Sequence, residues 1–300
     1  MVGRAALLLA TLASLVTPGR TRASPVRLVD DVGTTVMVDA NPGRIVSLSP
    51  GATEILFALG AGNRLVGTCS FCDWPAAARA CAKVGDFAHP SLEAILAARP
   101  DLIVATGGPQ RELVFKLRTG RVPVLVLYPA TLEAVFANIT TLGRAVHRER
   151  QAATLASRLR GRIATLTAGI ADLPAFARPV VYFEVWADPL MAIGDTSYAG
   201  ELIRLAGGVN VSRGAAGEYP RLSAETVLAA NPGVIILSHC DDPAGPAAAV
   251  ARRPGWANLA AVKAGRVYAD LNMDLIVRPG PRLADGLDQL IRRFHPTAVK

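Results

Sequence analysis

The four cysteines are the side chains whose type and spacing most directly suggest chemistry. Cys69 and Cys72 form a Cys-x-x-Cys pair, Cys81 follows Cys72 after nine residues, and Cys240 stands far away in the sequence. Such a set can form disulfides in an exported protein, exchange disulfides in a thiol oxidoreductase, or hold a zinc ion. If all four cysteines are paired, three different pairings are possible.

The residues around the Cys-x-x-Cys pair favour a structural role. A redox-active pair needs the N-terminus of a helix, where the helix dipole lowers the thiol pKa, whereas the following segment 73–75, Asp-Trp-Pro, is typical of a loop. A zinc site needs a fourth ligand close by. We therefore predict a disulfide between Cys72 and Cys81, with no partner assigned to the other two cysteines. A thiol oxidoreductase that uses Cys69 and Cys72 stays open as an alternative.

Histidine offers little further chemistry. His147, His239 and His295 have no partners at metal-ligand spacing, and the sequence contains no phosphate loop, no Gly-x-Ser-x-Gly elbow and no His-Glu-x-x-His motif. His89 lies in a predicted loop two residues after Phe87, where it could meet a metal-bearing ligand with an open coordination position. We predict no catalytic residue, no resident metal and no cofactor of the protein's own, with His89 as the candidate axial ligand among the histidines.

A pattern of twenty residues occurs twice at a constant offset of 132. Residues 86–105 read DFAHPSLEAILAARPDLIVA, and residues 218–237 read EYPRLSAETVLAANPGVIIL. Each copy has an aromatic residue, a helix N-cap serine, a glutamate in the first helical turn, a short helix that ends at proline, and a buried apolar strand. The corresponding residues include one aromatic pair, Phe87 with Tyr219, and one glutamate pair, Glu93 with Glu225. Two lobes of similar construction are the simplest explanation.

Strand and helix patterns alternate through both halves of the chain. In the first half, apolar segments at residues 44–48, 102–105 and 122–127 are typical of buried strands and are separated by helical patterns. This alternation predicts a βαβαβ lobe with a largely parallel sheet. The second half opens with a strand at 179–185 and closes with a helix at 282–294.

One long helix is predicted between the halves. Its apolar residues recur at helical spacing without any strand pattern: Leu155, Leu159, Ile163 and Leu166. The predicted organisation is an N-terminal αβ lobe over residues 24–147, a connecting helix over 148–170 and a C-terminal αβ lobe over 171–300. A rigid helical connection would restrict how far the lobes can hinge.

The first 23 residues have the features of a signal peptide. A positive start that ends at Arg4 is followed by the uncharged apolar run 5–16, and small residues precede a cleavage site after Ala23. No other stretch approaches the roughly twenty apolar residues of a membrane span, and no cysteine follows the run to carry a lipid. The sequence predicts a protein that is exported to the periplasm without a lipid anchor.

The composition is that of a globular protein, with 51% hydrophobic and 19% charged residues. Loss of Arg4, Arg20 and Arg22 with the signal peptide lowers the formal net charge from +8 to +5. The remaining arginines are scattered and do not alternate with aromatic residues. Nucleic-acid binding is therefore not expected.

Several segments together resemble a known superfamily. They are residues 44–48 and 52–60, Cys72-Asp73-Trp74-Pro75, Ser91-Leu92-Glu93, Arg99-Pro100-Asp101-Leu102 and Arg278-Pro279-Gly280-Pro281-Arg282. They resemble the periplasmic substrate-binding proteins of ABC importers for cobalamin, haem and ferric siderophores, over essentially the whole mature chain, and are most similar to the vitamin B12-binding branch. The resemblance implies an α/β fold of two Rossmann-like αβ lobes joined by a single long helix, with the ligand cleft between the lobes.

The resemblance also implies roles for individual residues. It makes Glu93 and Glu225 surface carboxylates, one on each lobe, that dock onto arginines of an ABC permease dimer in the inner membrane. It places five residues in the ligand cleft: Phe71 and Phe87 from the first lobe, Trp186 and Tyr219 from the second, and Asp274 as a polar contact. Aromatic faces suit a flat macrocycle because they bury a large area at little cost in side-chain entropy.

The implied function is that of a monomeric binding protein that captures a corrinoid, performs no chemistry and delivers the ligand to the permease. Phe71 and Phe87 stand where the B12-binding pattern has larger or hydroxylated aromatic residues, which leaves variant corrinoids open. Haem or a ferric siderophore is the alternative ligand. Haem needs an axial ligand such as Tyr219 or His89, and an anionic siderophore needs clustered arginines.

Overall fold

The computed structural model describes residues 24–39, 41–120 and 122–296. The predicted signal peptide, residues 1–23, lies outside the described residues. The first lobe contains, in chain order, β1 (Val26–Val29), β2 (Thr35–Val38), β3 (Ile45–Ser47), α1 (Pro50–Ala58), β4 (Leu65–Thr68), α2 (Leu92–Ala97), β5 (Leu102–Ala105), α3 (Arg111–Arg118), β6 (Val124–Val126) and α4 (Leu132–Ala145).

The first lobe is built on a four-stranded parallel sheet in the order β4-β3-β5-β6. Every residue of the two central strands, β3 and β5, is buried, as expected for a parallel sheet that is covered on both faces. Strands β1 and β2 form a separate antiparallel hairpin. The carboxyl ends of the parallel strands meet at one edge of the sheet, and the loops that follow them form one wall of the site described below.

Helix α4 is absent from the sequence prediction. Its middle, residues 138–141, reads Asn-Ile-Thr-Thr and has low intrinsic helix propensity. The helix forms nevertheless because its apolar residues Val135, Ile139 and Leu142 are fully buried. Tertiary burial therefore outweighs local preference at this position.

Helix α5 (Glu149–Ala171) is the single long helix between the lobes. Leu155 and Leu159 are buried on it, while Ile163 and Leu166 are partly buried against the same core. The helix contacts α4 of the first lobe at its N-terminal side, and it also contacts two helices of the second lobe.

The second lobe contains, in chain order, β7 (Val180–Ala187), β8 (Leu190–Ala192), α6 (Tyr198–Leu205), β9 (Val209–Asn210), α7 (Ala224–Ala230), β10 (Val234–Leu237), α8 (Pro246–Ala251), α9 (Ala260–Lys263), β11 (Val267–Tyr268), α10 (Asp274–Val277) and α11 (Leu283–Phe294). Its sheet has the order β11-β10-β7-β8, and β9 also pairs with β7. All of these pairs are parallel except β7 with β8. The predicted fold class, two αβ lobes joined by one long helix, is confirmed.

The repeated pattern folds in the same way in both lobes. Strands β5 and β10 begin and end at the offset of 132, and each lies inside its sheet. Helices α2 and α7 also begin at this offset, and each has a serine N-cap. Ser91 Oγ accepts a hydrogen bond of 3.2 Å from Ala94 N, and Ser223 Oγ accepts one of 3.2 Å from Thr226 N. The equivalent local chemistry therefore produces equivalent αβ units.

One contiguous apolar core reaches from the first lobe to the second. It includes Ile45 of β3, Leu159 of α5, Phe183 of β7 and Leu287 of α11, all of them buried. Two smaller clusters cover the other face of each sheet. Within the described residues, no helix is both long and apolar enough to cross a membrane.

Candidate ligand-binding cleft

A cavity of about 340 Å³ lies between the lobes, at the carboxyl edge of the first sheet. Its walls come from loops of both lobes and are mainly aromatic and apolar. The lining residues are Ser49, Pro50, Gly51, Phe71, Phe87, Thr106, Pro109, Tyr128, Pro129, Tyr198, Glu218, Tyr219, Asp274, Val277, Arg278 and Pro279. The volume lies at the lower end of the roughly 300–1,000 Å³ that is usual for small-molecule sites.

Phe87 is held at the cavity by a glycine turn. Gly85 has φ +114°, and a Cβ there would lie 2.7 Å from the Cα of Pro90 and 2.8 Å from the carbonyl oxygen of His89. Only glycine therefore permits this close approach of the two ends of the loop. Asp86 Oδ1 accepts a hydrogen bond of 2.5 Å from His89 N and closes the loop.

Gln110 fastens the Phe87 loop to the sheet. Its side chain is fully buried, and its Nε2 donates to the carbonyl oxygens of Leu48 at 2.9 Å and Phe87 at 2.7 Å. Its Oε1 accepts from Thr106 N at 3.0 Å. One amide thus joins the loops that follow β3 and β5 to the aromatic loop. Gln110 could not be predicted as a site residue from the sequence, since a glutamine in a loop has no distinctive spacing.

Tyr219 is held by strand-like contacts in the second lobe. Gly194 N donates to Glu218 O at 2.7 Å, and Ala192 N donates to Pro220 O at 3.0 Å. A Cβ on Gly194 would lie 2.1 Å from the carbonyl oxygen of Gly217, so the chain approaches here as closely as glycine allows. Burial raises the pKa of the Tyr219 phenol well above its usual range, and the neighbouring Glu218 raises it further.

Tyr128 and Glu218 connect the two lobes. The Tyr128 hydroxyl donates a hydrogen bond of 2.6 Å to Glu218 Oε2. This bond, together with partial burial, raises the pKa of Tyr128 to about 12. Tyr198 is buried and donates to the carbonyl oxygen of Val277 at 2.6 Å. The cavity therefore contains three phenols that stay protonated at neutral pH.

Arg278, the arginine of the cavity wall, is already paired. Its Nη1 lies 2.6 Å from Asp73 Oδ1 of the first lobe, and its Nη2 lies 2.8 Å from Asp274 Oδ1. The hydrogen bond and charge of Arg278 lower the pKa of Asp73, although burial acts in the opposite direction. The charged groups that line the cavity are thus two carboxylates, Glu218 and Asp274, and one guanidinium whose charge is compensated.

A second ion pair lies behind Arg278. Arg282 of the second lobe donates to both carboxylate oxygens of Glu54 in the first lobe, at 2.8 Å from Nε and 2.5 Å from Nη2. Glu54 is buried, and burial raises the pKa of its carboxyl group while the hydrogen bond and charge of Arg282 oppose that rise. The guanidinium of Arg282 also lies 4.7 Å from the ring centroid of Trp74.

Four of the five predicted cleft residues line the cavity: Phe71, Phe87, Tyr219 and Asp274. Trp186 does not line it. At the end of β7 its indole Nε1 donates to Asp188 O at 2.8 Å, and its ring lies 5.5 Å from that of His239, so the side chain is turned toward its own hairpin. The polar cavity residues that the prediction did not include are Ser49, Thr106, Tyr128, Tyr198, Glu218 and Arg278.

His89 does not line the cavity either. Its imidazole is largely exposed, with 86% of the side chain accessible, and its Nδ1 lies 3.5 Å from Asp86 Oδ2. Elsewhere in the described part of the chain, no group of three or more His, Cys, Asp or Glu side chains is placed to hold a metal ion.

The predicted disulfide between Cys72 and Cys81 is not formed. The structure has all four cysteines as free thiols, and the sulfur nearest to Cys72 Sγ is Cys69 Sγ at 2.9 Å. The chain makes a tight turn at 69–72, in which Cys72 N donates to Cys69 O at 3.0 Å. That turn directs the Cys72 side chain back toward Cys69.

The two repeated glutamates are exposed at corresponding helix N-termini. Glu93 lies in the first turn of α2 and Glu225 in the first turn of α7. Neither carboxylate forms an ion pair with another described residue. Hydrogen bonds from its own backbone N–H and from Ser223 lower the pKa of Glu225.

Two αβ lobes, one connecting helix and an aromatic cavity between the lobes define a bilobal ligand-binding protein. The sequence profile of the family described as periplasmic binding protein matches residues 45–271. The chain therefore belongs to this family of substrate-binding transport proteins.

Individual relatives and a solved structure show which members of the family the chain is similar to. It is 32% identical over 254 residues to the vitamin B12-binding protein of Vibrio cholerae, which covers 82% of this chain and 87% of the relative. It is 28% identical over 286 residues to the uncharacterized ABC transporter substrate-binding lipoprotein YvrC of Bacillus subtilis, covering 94% and 89%. The structure of the periplasmic heme-binding protein RhuT from Roseiflexus sp. RS-1 has a TM-score of 0.75 and 28% identity, covering 85% of this chain and 98% of that one. The protein is thus a periplasmic ABC substrate-binding protein of the class that includes vitamin B12- and haem-binding members.

Proposed function

We propose that this protein captures a corrinoid of the cobalamin type in the cleft between its lobes and delivers it to an ABC permease. The observation that carries the proposal is the composition of the cavity wall, which combines aromatic faces with no uncompensated positive charge. Export to the periplasm through the signal peptide over residues 1–23 belongs to the same proposal.

The aromatic side chains support a large, flat ligand. Phe71 and Phe87 face the cavity from the first lobe and Tyr219 from the second, so a ring system between the lobes would meet aromatic surface on both sides. Such contacts bury a large apolar area at little entropic cost. Phe71 is 56% exposed in the ligand-free cleft, which leaves its ring available for contact.

The charges of the cavity support an uncharged, amide-bearing ligand over an anionic one. Glu218 and Asp274 would repel the carboxylates of haem or of an anionic siderophore, and Arg278 is engaged by Asp73 and Asp274. Corrinoids carry neutral carboxamide side chains, which can donate to these carboxylates and accept from tyrosine hydroxyls. The cavity of about 340 Å³ is small for a corrinoid, so the lobes must separate to admit it.

Haem is the second candidate ligand. Tyr219 and Tyr128 offer phenol oxygens at the cavity, and a tyrosine can serve as an axial ligand of haem iron. Their raised pKa values oppose formation of the phenolate that would bind the iron. We therefore favour the corrinoid.

Glu93 and Glu225 are proposed as the docking groups for the permease. Each is exposed on the first turn of a helix, at equivalent positions of the two lobes, without an ion-pair partner among the described residues. Two similar carboxylates on two similar lobes suit a receptor with two equivalent basic sites, such as a permease dimer.

The test is calorimetric titration of the purified protein with cyanocobalamin and, in parallel, with haemin. We expect stoichiometric binding of cyanocobalamin that is abolished by the double substitution Phe87→Ala and Tyr219→Ala. Trp186→Ala is the matched control, because this exposed aromatic residue lies outside the cavity wall, and it should bind normally. Binding of haemin without binding of cyanocobalamin would replace the corrinoid by haem, and loss of binding in the Trp186→Ala protein would mean that the ligand sits elsewhere.

A further inference from the structure

Beside the ligand cavity, the first lobe holds two thiols in direct contact. Cys69 Sγ and Cys72 Sγ are 2.9 Å apart, with 0% and 1% of the respective residues exposed. A disulfide has an S–S distance of about 2.05 Å, so a movement of less than about 1 Å would join the two sulfurs. Among the described residues, no sulfur contact of this kind is made by Cys81 or Cys240.

The backbone around this pair is fixed independently of any sulfur chemistry. Cys72 N donates to Cys69 O at 3.0 Å, Ser70 N donates to Gly85 O at 2.9 Å, and Lys83 Nζ donates to Cys72 O at 2.9 Å. Thr53 Oγ1 lies 3.2 Å from Cys72 Sγ. The fold therefore brings the two sulfurs together and holds them there.

We propose that Cys69 and Cys72 form a disulfide in the exported protein, which makes the turn at 69–72 an oxidation site of the first lobe. This inference goes beyond the proposed function: it rests on the export proposed there and does not depend on which ligand is bound.

The oxidation is a two-electron thiol–disulfide exchange. The Cys69 thiolate attacks the disulfide of a thiol–disulfide oxidoreductase and releases one of its sulfurs as a thiolate, which leaves a mixed disulfide. The Cys72 thiolate then attacks Cys69 Sγ and releases the second sulfur. The two cysteines lose two electrons and two protons, and the disulfide of the oxidoreductase becomes two thiols. Because both cysteines are buried in the folded lobe, the exchange takes place before the lobe packs.

In the folded lobe, the two thiols of the pair have different electrostatic environments. The hydrogen bond from Cys72 and the charge of Lys83 lower the pKa of the Cys69 thiol against the effect of burial. The hydrogen bond with Cys69, together with burial, raises the pKa of Cys72.

The proposed disulfide encloses a ligand-facing residue. Phe71 lies within the four-residue ring and lines the cavity, and the next residue after the ring, Asp73, binds Arg278 of the second lobe. Oxidation would limit the motion of Phe71 and would hold Asp73 in register with its partner.

Tryptic peptides distinguish a Cys69–Cys72 disulfide from a disulfide with Cys81. Cleavage after Arg64 and Arg79 places Cys69 and Cys72 together in the peptide Leu65–Arg79, while Cys81 lies in Ala80–Lys83. The full chain is expressed with export to the periplasm of a bacterial host, and its free thiols are alkylated at harvest without reductant. The protein is then digested with trypsin, and the peptide masses are measured by mass spectrometry. We expect Leu65–Arg79 without alkyl groups and lighter by two hydrogen atoms than the reduced peptide.

Recovery of that peptide with two alkyl groups, or joined to Ala80–Lys83, would overturn the proposal. Two variants sharpen the result. Cys81→Ser should leave the oxidised peptide unchanged, and its loss in this variant would also overturn the proposal. Cys69→Ser should yield a peptide in which Cys72 is alkylated.

Discussion

The Tyr128 hydroxyl and the Glu218 carboxylate meet at 2.6 Å and form a hydrogen bond between the lobes at the cavity wall. A ligand that enters between the lobes at this point separates these two groups. A hydrogen bond to a charged acceptor contributes about 1.5–3 kcal/mol when it is buried, and less here because Tyr128 is 42% exposed. The bond therefore stabilises the closed cleft modestly and opposes ligand entry.

Tyr128→Phe should accelerate ligand association. The substitution keeps the aromatic ring and removes only the hydroxyl, so we expect the association rate constant for cyanocobalamin to rise about fivefold, which corresponds to about 1 kcal/mol. Stopped-flow measurement with Tyr268→Phe as control, a tyrosine outside the cavity wall, gives the comparison. An unchanged association rate would mean that the bond is not broken on entry.

Glu54→Gln should destabilise the whole protein. The substitution removes the buried carboxylate that accepts two hydrogen bonds from Arg282 and leaves the partly buried Arg282 and Arg278 less compensated. Breaking a buried ion pair from one side costs about 3–5 kcal/mol. We expect a loss near 3 kcal/mol in the free energy of unfolding, measured with urea at neutral pH.

The matched control is Glu112→Gln. Glu112 pairs with Lys116 at 2.7 Å, but both side chains are exposed. Exposed pairs contribute about 0–1 kcal/mol. Equal losses in the free energy of unfolding for the two variants would show that the Glu54–Arg282 pair does not stabilise the protein.

Stability should fall as the pH is lowered below about 6.5, and His295 should be one cause. Its Nε2 lies 3.0 Å from the carbonyl oxygen of Ala206, and burial lowers its pKa below the ordinary value, with Arg266 and Arg178 contributing in the same direction. Between its folded pKa and about 6.5, the unfolded chain binds more protons at this site than the folded protein does. The stability that His295 contributes is therefore present above about 6.5 and is lost as the pH falls through its folded pKa.

His295→Gln tests this assignment. The glutamine can still donate to Ala206 O, but it does not titrate, so the melting temperature of the variant should depend less on pH than that of the wild type between about 5 and 7.5. Parallel pH profiles for the two proteins would rule His295 out as a source of the slope.

Substitution of both repeated glutamates should separate transport from binding. Glu93→Ala with Glu225→Ala removes two exposed carboxylates that do not line the cavity, so cyanocobalamin should bind as before. Uptake of labelled cyanocobalamin by cells that depend on this protein should fall about tenfold or more, since charge pairs at interfaces contribute several kcal/mol. Glu112→Ala, another exposed glutamate in a first helical turn, serves as the control. Unimpaired uptake by the double variant would exclude the docking role.

The parts of the fold that could best be predicted from the sequence are those stabilised by interactions between residues close together in the chain. The N-cap serines Ser91 and Ser223 and the apolar strands that follow their helices need only near neighbours to form, and the structure confirms both units. The aromatic residues Phe87 and Tyr219 could be found because the repeat marks them. Helix α4 was missed, because it is stabilised by burial of its apolar face and not by the intrinsic helix propensity of its residues.

Features that depend on contacts between distant segments could not be predicted. Tyr128 and Glu218 are ninety residues apart and belong to different lobes, so their hydrogen bond exists only in the folded chain. The turn at 69–72 places Cys69 Sγ nearest to Cys72 Sγ. The spacing between Cys72 and Cys81 in the sequence does not reveal this turn. Trp186 is an aromatic residue at a strand end, and only its contacts with Asp188 and His239 direct it away from the cavity.

The apolar core that runs through helix α5 has a consequence for folding. Ile45 of the first lobe and Phe183 of the second belong to the same buried cluster as Leu155 and Leu159 of the helix. Each half buries part of its share of this cluster against the helix and the other half. The two lobes should therefore unfold in a single cooperative transition, and a chain cut within the helix would yield fragments that associate with each other rather than two stable domains.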